Sequence, residues 1–397
     1  MTRRAKIYGL IGVDVGHRAV KVAQLVRRGA RLEIGAAAVA AATDQTQSAT
    51  YGNLKATGAS LTAAAHTEAT WQSESRSTDA WAAEARADEA WADEAWADDR
   101  YGDVDLIRAA ADICERLSGR CAAATLSMGR CELHLLDGTP NGRGREGLAR
   151  WGRLETAATQ RLSELSVDGW LAGAGGEKET PRTHVVGMLA SDADAIVDDL
   201  ASLGWRCEAI DAVPWAVARA AALDDRFDVD AGGLCLDWGD ASTTLTLARR
   251  GRPLFARELK APSAGEVVRR VADELKMHRG EAERLVAKLA RGDAAVSPLA
   301  GALVERAVCE AATTVAREIT RTAAFWKSAL LGEEVRDLFV MGAGALLPYA
   351  IDRLRTTWGA PVESWTMRVA ADFVGRPPAC ALLAPAVGLS ALAWEEP

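Results

Sequence analysis

An aspartate followed two residues later by a glycine closes an apolar run twice in this chain, and each time an alternating β-rich segment follows. Ile7 to Val13 ends at Asp14-Val15-Gly16 and re-emerges as Ala19 to Val26; Leu234-Cys235-Leu236 ends at Asp237-Trp238-Gly239 and re-emerges as Ser242 to Ala248. Both units continue in the same order. Arg28-Gly29 turns into Arg31 to Val39, and Arg250-Gly251 turns into Leu254 to Leu259. The alternation is that of half-buried strands. A tight turn between paired strands aims several backbone N–H groups into one concavity, which suits an anion. Asp14 at the mouth cannot bind a phosphate but can hold the hydrated Mg²⁺ that accompanies one. Lys21 is spaced to bring its ammonium back over the turn. One such unit alone reads rather as an ordinary hairpin whose glycine supplies a positive φ. Two in the same order imply two similar domains facing each other with a nucleotide gripped from both sides.

The chain is long enough for such a pair: 397 residues, 49% of them hydrophobic. Its seven cysteines form no C-x-x-C pair and its five histidines are scattered, so reduced thiols are expected and no zinc site. Asp14 and His17 interrupt the first apolar run too early for a signal peptide, and no stretch is long and apolar enough to span a bilayer. The formal charge of −8 is uneven. Residues 79 to 99 hold eight acidic side chains against Arg86, a local −7, which leaves the remainder near neutral. No basic stripe of the kind nucleic acid requires is present.

Between the two hairpins the pattern changes. Ala41 to about Ser77 is rich in Thr, Ser, Ala and Gln without apolar periodicity, and passes into a five-residue repeat carrying Trp81, Trp91 and Trp96. Five residues advance a helix by roughly 140°, so the repeat lays no continuous stripe on one face. It reads as an acidic, low-complexity insertion, or as a docking arm whose tryptophans anchor a basic partner. From Val104 an amphipathic helix is expected to stop at Gly119, followed by strands at Cys121–Ser127 and Cys131–Leu136 and a polar loop at Gly138–Gly147. Trp151–Leu165 reads as a helix and His184–Ala190 as a strand. Ser191 or Asp192 is expected to cap a helix ending near Leu203-Gly204. Cys207–Ile210 reads as a strand, and Pro214 opens a helix over Trp215–Ala222.

In the second half, Ser263-Ala264-Gly265-Glu266 has the form of a capping box ahead of Val267, Val268, Val271 and Leu275. A long helix is expected from about Leu299 to Leu330. Leu338 to Met341 then reads as a buried strand ending in Gly342-Ala343-Gly344, a small-residue loop opening a helix, which suits a purine or a phosphate. A plain strand-to-helix turn explains that loop equally well.

Gly12-Val13-Asp14-Val15-Gly16 with Val20-Lys21-Val22 resembles the opening of the PilM-like pilus-assembly proteins of the actin-like ATPase superfamily. So do Asp237-x-Gly239 with Ser242-Thr243-Thr244-Leu245 and Gly251-Arg252-Pro253-Leu254-Phe255. Arg279-Gly280-Glu281-Ala282-Glu283, Gly342-x-Gly344-x-Leu346-Leu347-Pro348 and Pro385-Ala386-Val387-Gly388-Leu389 fit the same order. The resemblance is weaker from Val104 to Leu223 and absent across Ala41 to Arg100.

The resemblance implies an α/β, actin-like (ribonuclease-H-like) fold of two lobes. Residues 1–40 and 101–222 would form the first lobe with a small inserted α/β subdomain, 41–100 the acidic insertion, and 223–397 the second lobe. It also implies ATP and Mg²⁺ between the lobes. Asp14 and Asp237 would hold Mg²⁺ through water. Gly16 and Gly239 would admit the phosphates, Lys21 would neutralise one, and Ser242 and Thr243 would hydrogen-bond their oxygens. Gly342 and Gly344 would line the nucleoside pocket opposite Lys276 and Arg279, which read equally well as a solvated helix face. His17 and Arg18 stand where the family has small hydroxyl residues, Trp238 replaces a small aliphatic residue, and Asp240 stands where Ala or Gly is usual, a carboxylate repelled by phosphates unless Mg²⁺ intervenes. No residue is assignable as the group that positions an attacking water, so binding with at most weak hydrolysis is expected.

By the same resemblance the protein would be cytoplasmic, held at the inner membrane through the tail of a PilN-like partner. It would serve the assembly platform of a type IV pilus or type II secretion machine, alongside other platform proteins and possible copies of itself. The end at Trp394-Glu-Glu-Pro lacks the membrane helix of some secretion homologues and the amphipathic anchor of FtsA. The alternatives are a nucleotide-free scaffold of that machine and a small-molecule kinase of the same superfamily, which would need a general-base aspartate in the cleft.

Overall fold

The structure is a computed structural model and describes residues 7–41, 49–50, 103–114, 116–137, 165–171, 182–326, 337–374 and 379–395. The tryptophan repeat, the 138–147 loop and the helix expected from 151 lie outside these residues.

The first hairpin and its extension form β1 (Ile7–Tyr8), β2 (Ile11–Val15), β3 (Ala19–Arg28), β4 (Arg31–Ala41) and β5 (Ala49–Thr50). β6 (Cys121–Leu126) and β10 (Arg206–Asp211) complete the sheet, in the order β10-β6-β2-β3-β4-β5 with β1 on β3. β2, β6 and β10 run parallel, and β2, β3 and β4 antiparallel. The second sheet repeats this plan. β11 (Gly233–Trp238), β12 (Thr243–Arg249), β13 (Arg252–Glu258), β14 (Leu338–Met341) and β15 (Val362–Ser364) lie in the order β13-β12-β11-β14-β15. Again three strands are antiparallel and two are added in parallel. Each parallel strand follows a helical crossover, as parallel pairing requires.

A third, antiparallel sheet of β7 (Cys131–Asp137), β8 (Leu165–Leu171) and β9 (Arg182–Leu189), ordered β7-β9-β8, is inserted between β6 and β10. β8 was not expected: Asp168-Gly169 inside Leu165–Leu171 looks like a turn, yet pairing along β9 holds it extended.

The helices are α1 (Asp103–Ile113), α2 (Ala190–Ser202), α3 (Val213–Ala221), α4 (Ala264–Leu275), α5 (Arg279–Ala290), α6 (Pro298–Trp326), α7 (Ala350–Trp358) and α8 (Cys380–Ala391). α1 stops at Ile113 rather than near Gly119. The buried Gln24 side chain claims the Ser118 backbone, donating to its carbonyl (2.7 Å) and accepting from its N–H (2.7 Å), and this removes those groups from any helix. α2 begins at Ala190, earlier than expected, so the N-cap position falls on Leu189, which has no side-chain acceptor; Ser191 and Asp192 lie within the first turn, where Asp192 pairs with Arg130 (3.3 Å). The Ser263/Glu266 capping box forms as expected. α6 buries Val304, Ala307, Val308, Ala311, Val315 and Ile319 at helical spacing against the second sheet.

α1 and α2 cover one face of the first sheet, and α3 and α8 lie between the two sheets. α8, expected within the second lobe, packs directly on β2, β3, β6 and α3. It is apolar all round, as a helix enclosed on every side must be. Small residues permit the approach: a Cβ on Gly12 would overlap the Ala386 carbonyl, and one on Gly388 the Ala216 carbonyl. Where β1 breaks into β2, Ser390 Oγ donates to the Leu10 carbonyl (2.6 Å) and accepts from the Leu25 N–H (2.9 Å). Below it, Arg219 of α3 is buried between Asp211 (2.6 Å) and Glu395.

Candidate functional site

Parallel strands open at their carboxyl ends, and in open α/β sheets ligands bind in the crevice there. β2 ends at Asp14-Val15-Gly16 and β6 at Ser127; across from them β11 ends at Asp237-Trp238-Gly239 and β14 at Gly342. All four ends line one cavity of about 280 Å³, near the lower end of small-molecule sites (roughly 300–1,000 Å³). The two aspartates therefore share a hollow.

Their environments differ because the two hairpins place different residues opposite them. In the first, Asp14 and Lys21 are direct cross-strand partners, which brings Lys21 Nζ to 3.0 Å from Asp14 Oδ2. Burial works to lower the Lys21 pKa. The Asp14 charge overrides it, with Asp237 and Asp240 adding, so the ammonium is held above its usual range. In the second hairpin the partner of Asp237 is Thr244, which carries no charge. Burial, reinforced by the charge on Asp14 and opposed by Lys21, pushes Asp237 up to about 7. One cation thus serves two carboxylates.

The glycines at the hairpin tips provide room rather than unusual dihedrals. Neither Gly16 nor Gly239 has a positive φ. A Cβ on Gly16 would lie 2.7 Å from Lys21 Nζ, and one on Gly239 2.9 Å from the Ser242 carbonyl. This departs from the ordinary-hairpin explanation. Gly342 does need its conformation: its φ is +78°, and a Cβ there would lie 2.7 Å from Asp237 Oδ1. The loop opens a 3₁₀ turn (Ala343–Leu346) instead of a helix, and α7 starts only at Ala350, after Tyr349 in the left-handed region.

The Gly342 N–H donates to the Ala381 carbonyl (2.8 Å). That carbonyl is available because Pro385, four residues on in α8, has no N–H to offer it. Pro385 also lines the cavity, so α8 joins the loop of the second sheet to the first sheet beneath the cleft.

Of the residues singled out from sequence, Asp14, Gly16, His17, Arg18, Lys21, Asp237, Gly239, Ser242 and Gly342 line the cavity. Four do not. Thr243 is buried behind the hairpin, its hydroxyl donating to the Pro262 carbonyl at 3.5 Å. Gly344 is buried where a Cβ would overlap the Trp238 ring, whose Nε1–H donates to the same Pro262 carbonyl (2.9 Å). Lys276 is exposed at the left-handed C-cap of α4. Arg279, at the start of α5, reaches Asp240 Oδ1 (2.6 Å) and Glu283 Oε1 (3.2 Å), both on cavity-lining residues. Trp238 is thus core, and the Asp240 carboxylate has its own counter-ion.

Sequence reasoning assigned no role in the site to Ser127, Val213, Glu283 or Leu382, which also line it. Ser127 follows a strand parallel to β2, and that parallel neighbour was the available signal. Val268, Val286 and Ala287 form an apolar wall beside Glu283, suited to a flat ring. The lining side chains carry four carboxylates (Asp14, Asp237, Asp240, Glu283) against Arg18 and Lys21. A polyanion entering there needs a cation with it. Among the described residues no group of three or more His, Cys, Asp or Glu side chains is close enough to hold a metal directly.

No protein-family model matches the sequence, and no curated protein matches it. Among solved structures, a chain of the PilM–PilN type IV pilus biogenesis complex is similar over 98% of this chain and 99% of that one, with a TM-score of 0.63 and 17% identity. The ethanolamine utilization protein EutJ from Carboxydothermus hydrogenoformans (13% identity, 97% of this chain and 89% of that one, TM-score 0.48) is more distant. So is component A of the (R)-2-hydroxyglutaryl-CoA dehydratase from Acidaminococcus fermentans (11%, 98% and 97%, TM-score 0.45). At these identities the first likeness concerns the fold, and the chain has the two-lobed actin-like fold. Among the described residues no helix is long and apolar enough to cross a membrane.

Proposed function

We propose that this protein is an actin-fold adaptor that holds ATP with Mg²⁺ between its lobes and couples its state to an inner-membrane assembly platform. Asp14 and Asp237, at the ends of equivalent strands lining one cavity, with Lys21 paired to Asp14, carry this reading. Asp14 and Asp237 would hold the cation through water, Gly16 and Gly239 admit the phosphates, and the wall at Val268, Val286 and Ala287 receives the base. The cation, when bound, offsets phosphate charge against the carboxylates of the cleft. The likeness to the PilM–PilN complex supports a PilN-like protein as partner, a cytoplasmic position peripheral to the inner membrane, and a role in a type IV pilus or related secretion machine.

The excess of carboxylates over cations favours a second reading, a scaffold of the same machine that takes up no nucleotide. Isothermal titration with ATP and Mg²⁺ separates the two. The parent should bind, and Asp14→Ala and Asp237→Ala should each weaken binding at least tenfold; a folded parent that shows no heat of binding sinks the nucleotide reading and leaves the scaffold. Turnover of a metabolite together with ATP would favour a kinase instead.

A further inference from the structure

Asp240 lies in the second glycine hairpin, between Gly239 and Ser242, all three lining the cleft. A carboxylate in a turn that would receive phosphates is a charge of the wrong sign, yet here it is held in place. Arg279 Nη2 donates to Asp240 Oδ1 at 2.6 Å, and Arg279 Nε donates to Glu283 at 3.2 Å. Both members of the Asp240–Arg279 pair are partly buried, with side chains 29% and 22% exposed, so the interaction is less screened than a surface pair. The Asp240 Oδ1 atom also lies over the start of α4, where a Cβ on Gly265 would come within 2.5 Å of it. An Arg guanidinium beside a glycine turn is what a phosphate chain would otherwise engage, through the same charge-assisted hydrogen bonds a carboxylate accepts.

We propose that Asp240 is a specificity-determining residue of the cleft: an internal anion that occupies Arg279 and thereby reduces how strongly the site favours a polyphosphate over its uncharged nucleoside. The proposal rests on the nucleotide reading of this cleft. It goes further in assigning a phosphate-competing role to the Asp240 carboxylate. Without the Asp240 charge, Arg279 turns to the ligand. With the charge present, polyphosphate binding leans on the accompanying divalent cation.

The test is titration of the full chain with ATP, with inorganic tripolyphosphate and with adenosine, each with Mg²⁺ present. Asp240→Ala should tighten ATP and tripolyphosphate about tenfold and leave adenosine within twofold. Asp240→Asn, which keeps the hydrogen bond but not the charge, should fall between parent and alanine variant. Arg279→Gln alone should weaken ATP and tripolyphosphate, because it leaves the Asp240 carboxylate without its counter-ion, and combined with Asp240→Ala it should abolish the gain over the parent. Raising salt should shrink that gain. Thermal melts establish that each variant is folded.

A gain that persists in the Asp240→Ala/Arg279→Gln double variant would mean simple relief of repulsion and overturns the proposal. So would unchanged polyphosphate affinity in folded Asp240→Ala and Asp240→Asn. If tripolyphosphate tightens as expected while no variant takes up ATP, the internal-anion role stands and the nucleotide reading falls.

Discussion

Trp238 and Gly344 show how far a single side chain can redefine its neighbour. The indole, where a small residue was expected, is fully buried, and the loop above it has no space for even a methyl group. Gly344 is therefore a packing glycine, and its place in the Gly-x-Gly pattern says nothing by itself about a ligand. Gly344→Ala should destabilise the protein by about 1–3 kcal/mol through overpacking, read from the midpoint of a urea unfolding curve. Trp238→Leu in that background should recover part of the loss, whereas the two single losses would simply add if the side chains did not meet. Asp14 and Lys21 make the complementary case. Their pairing follows from hairpin register, and register was readable in the alternation of Val20 and Val22 about Lys21.

Elements meet at the inserted sheet in a way no local pattern announces. His184 of β9 is buried and stacked on Trp170, with ring centroids 5.0 Å apart, and its Nε2 accepts the Ala256 N–H of β13 at 3.2 Å. One imidazole thus ties the insertion to the second sheet. Burial lowers its pKa to about 4, and only the neutral ring can accept that bond. For a histidine with a lowered folded pKa, the stabilisation is present above about 6.5 and is lost as pH falls towards 4. At about 1.4 kcal/mol per pKa unit the loss is on the order of 3 kcal/mol. His184→Gln, which keeps an acceptor but does not titrate, should flatten the decline in unfolding free energy between pH 6.5 and 4. An unchanged slope would show that other groups govern acid sensitivity. Asp168-Gly169 of β8 belongs to the same lesson: its sequence suggests a turn, and only the neighbouring strand makes it a strand.

At the scale of the whole molecule the two sheets are held in relation by α8. It lies on the first sheet while its Ala381 carbonyl accepts from Gly342 at the end of β14. Pro385 makes that possible by withholding a competing N–H. Pro385→Ala should return the donor to the helix ladder and release Gly342. Its amide should then exchange with deuterium faster than in the parent, while exchange in the middle of α6 stays unchanged. Equal protection of Gly342 in both proteins would show that the bond does not depend on the proline.

The amino-acid sequence by itself determined the local grammar: two Asp-x-Gly hairpins in matching order, the Ser263 capping box, the apolar stripe of α6, and therefore an α/β chain of two like halves. These are short-range matters, settled by alternation, helical spacing and the space a glycine leaves. Tertiary structure alone decided which further residues share the cleft and which of the expected ones do not. It brought Ser127, Glu283 and Pro385 in, and set Thr243, Gly344 and Lys276 outside. It decided that Asp240 is neutralised by Arg279, 39 residues away along the chain, and that the last helix belongs between the sheets. The physical reason is common to all of these: charge pairing, burial and backbone approach depend on distance in space, and separation along the chain carries no measure of it.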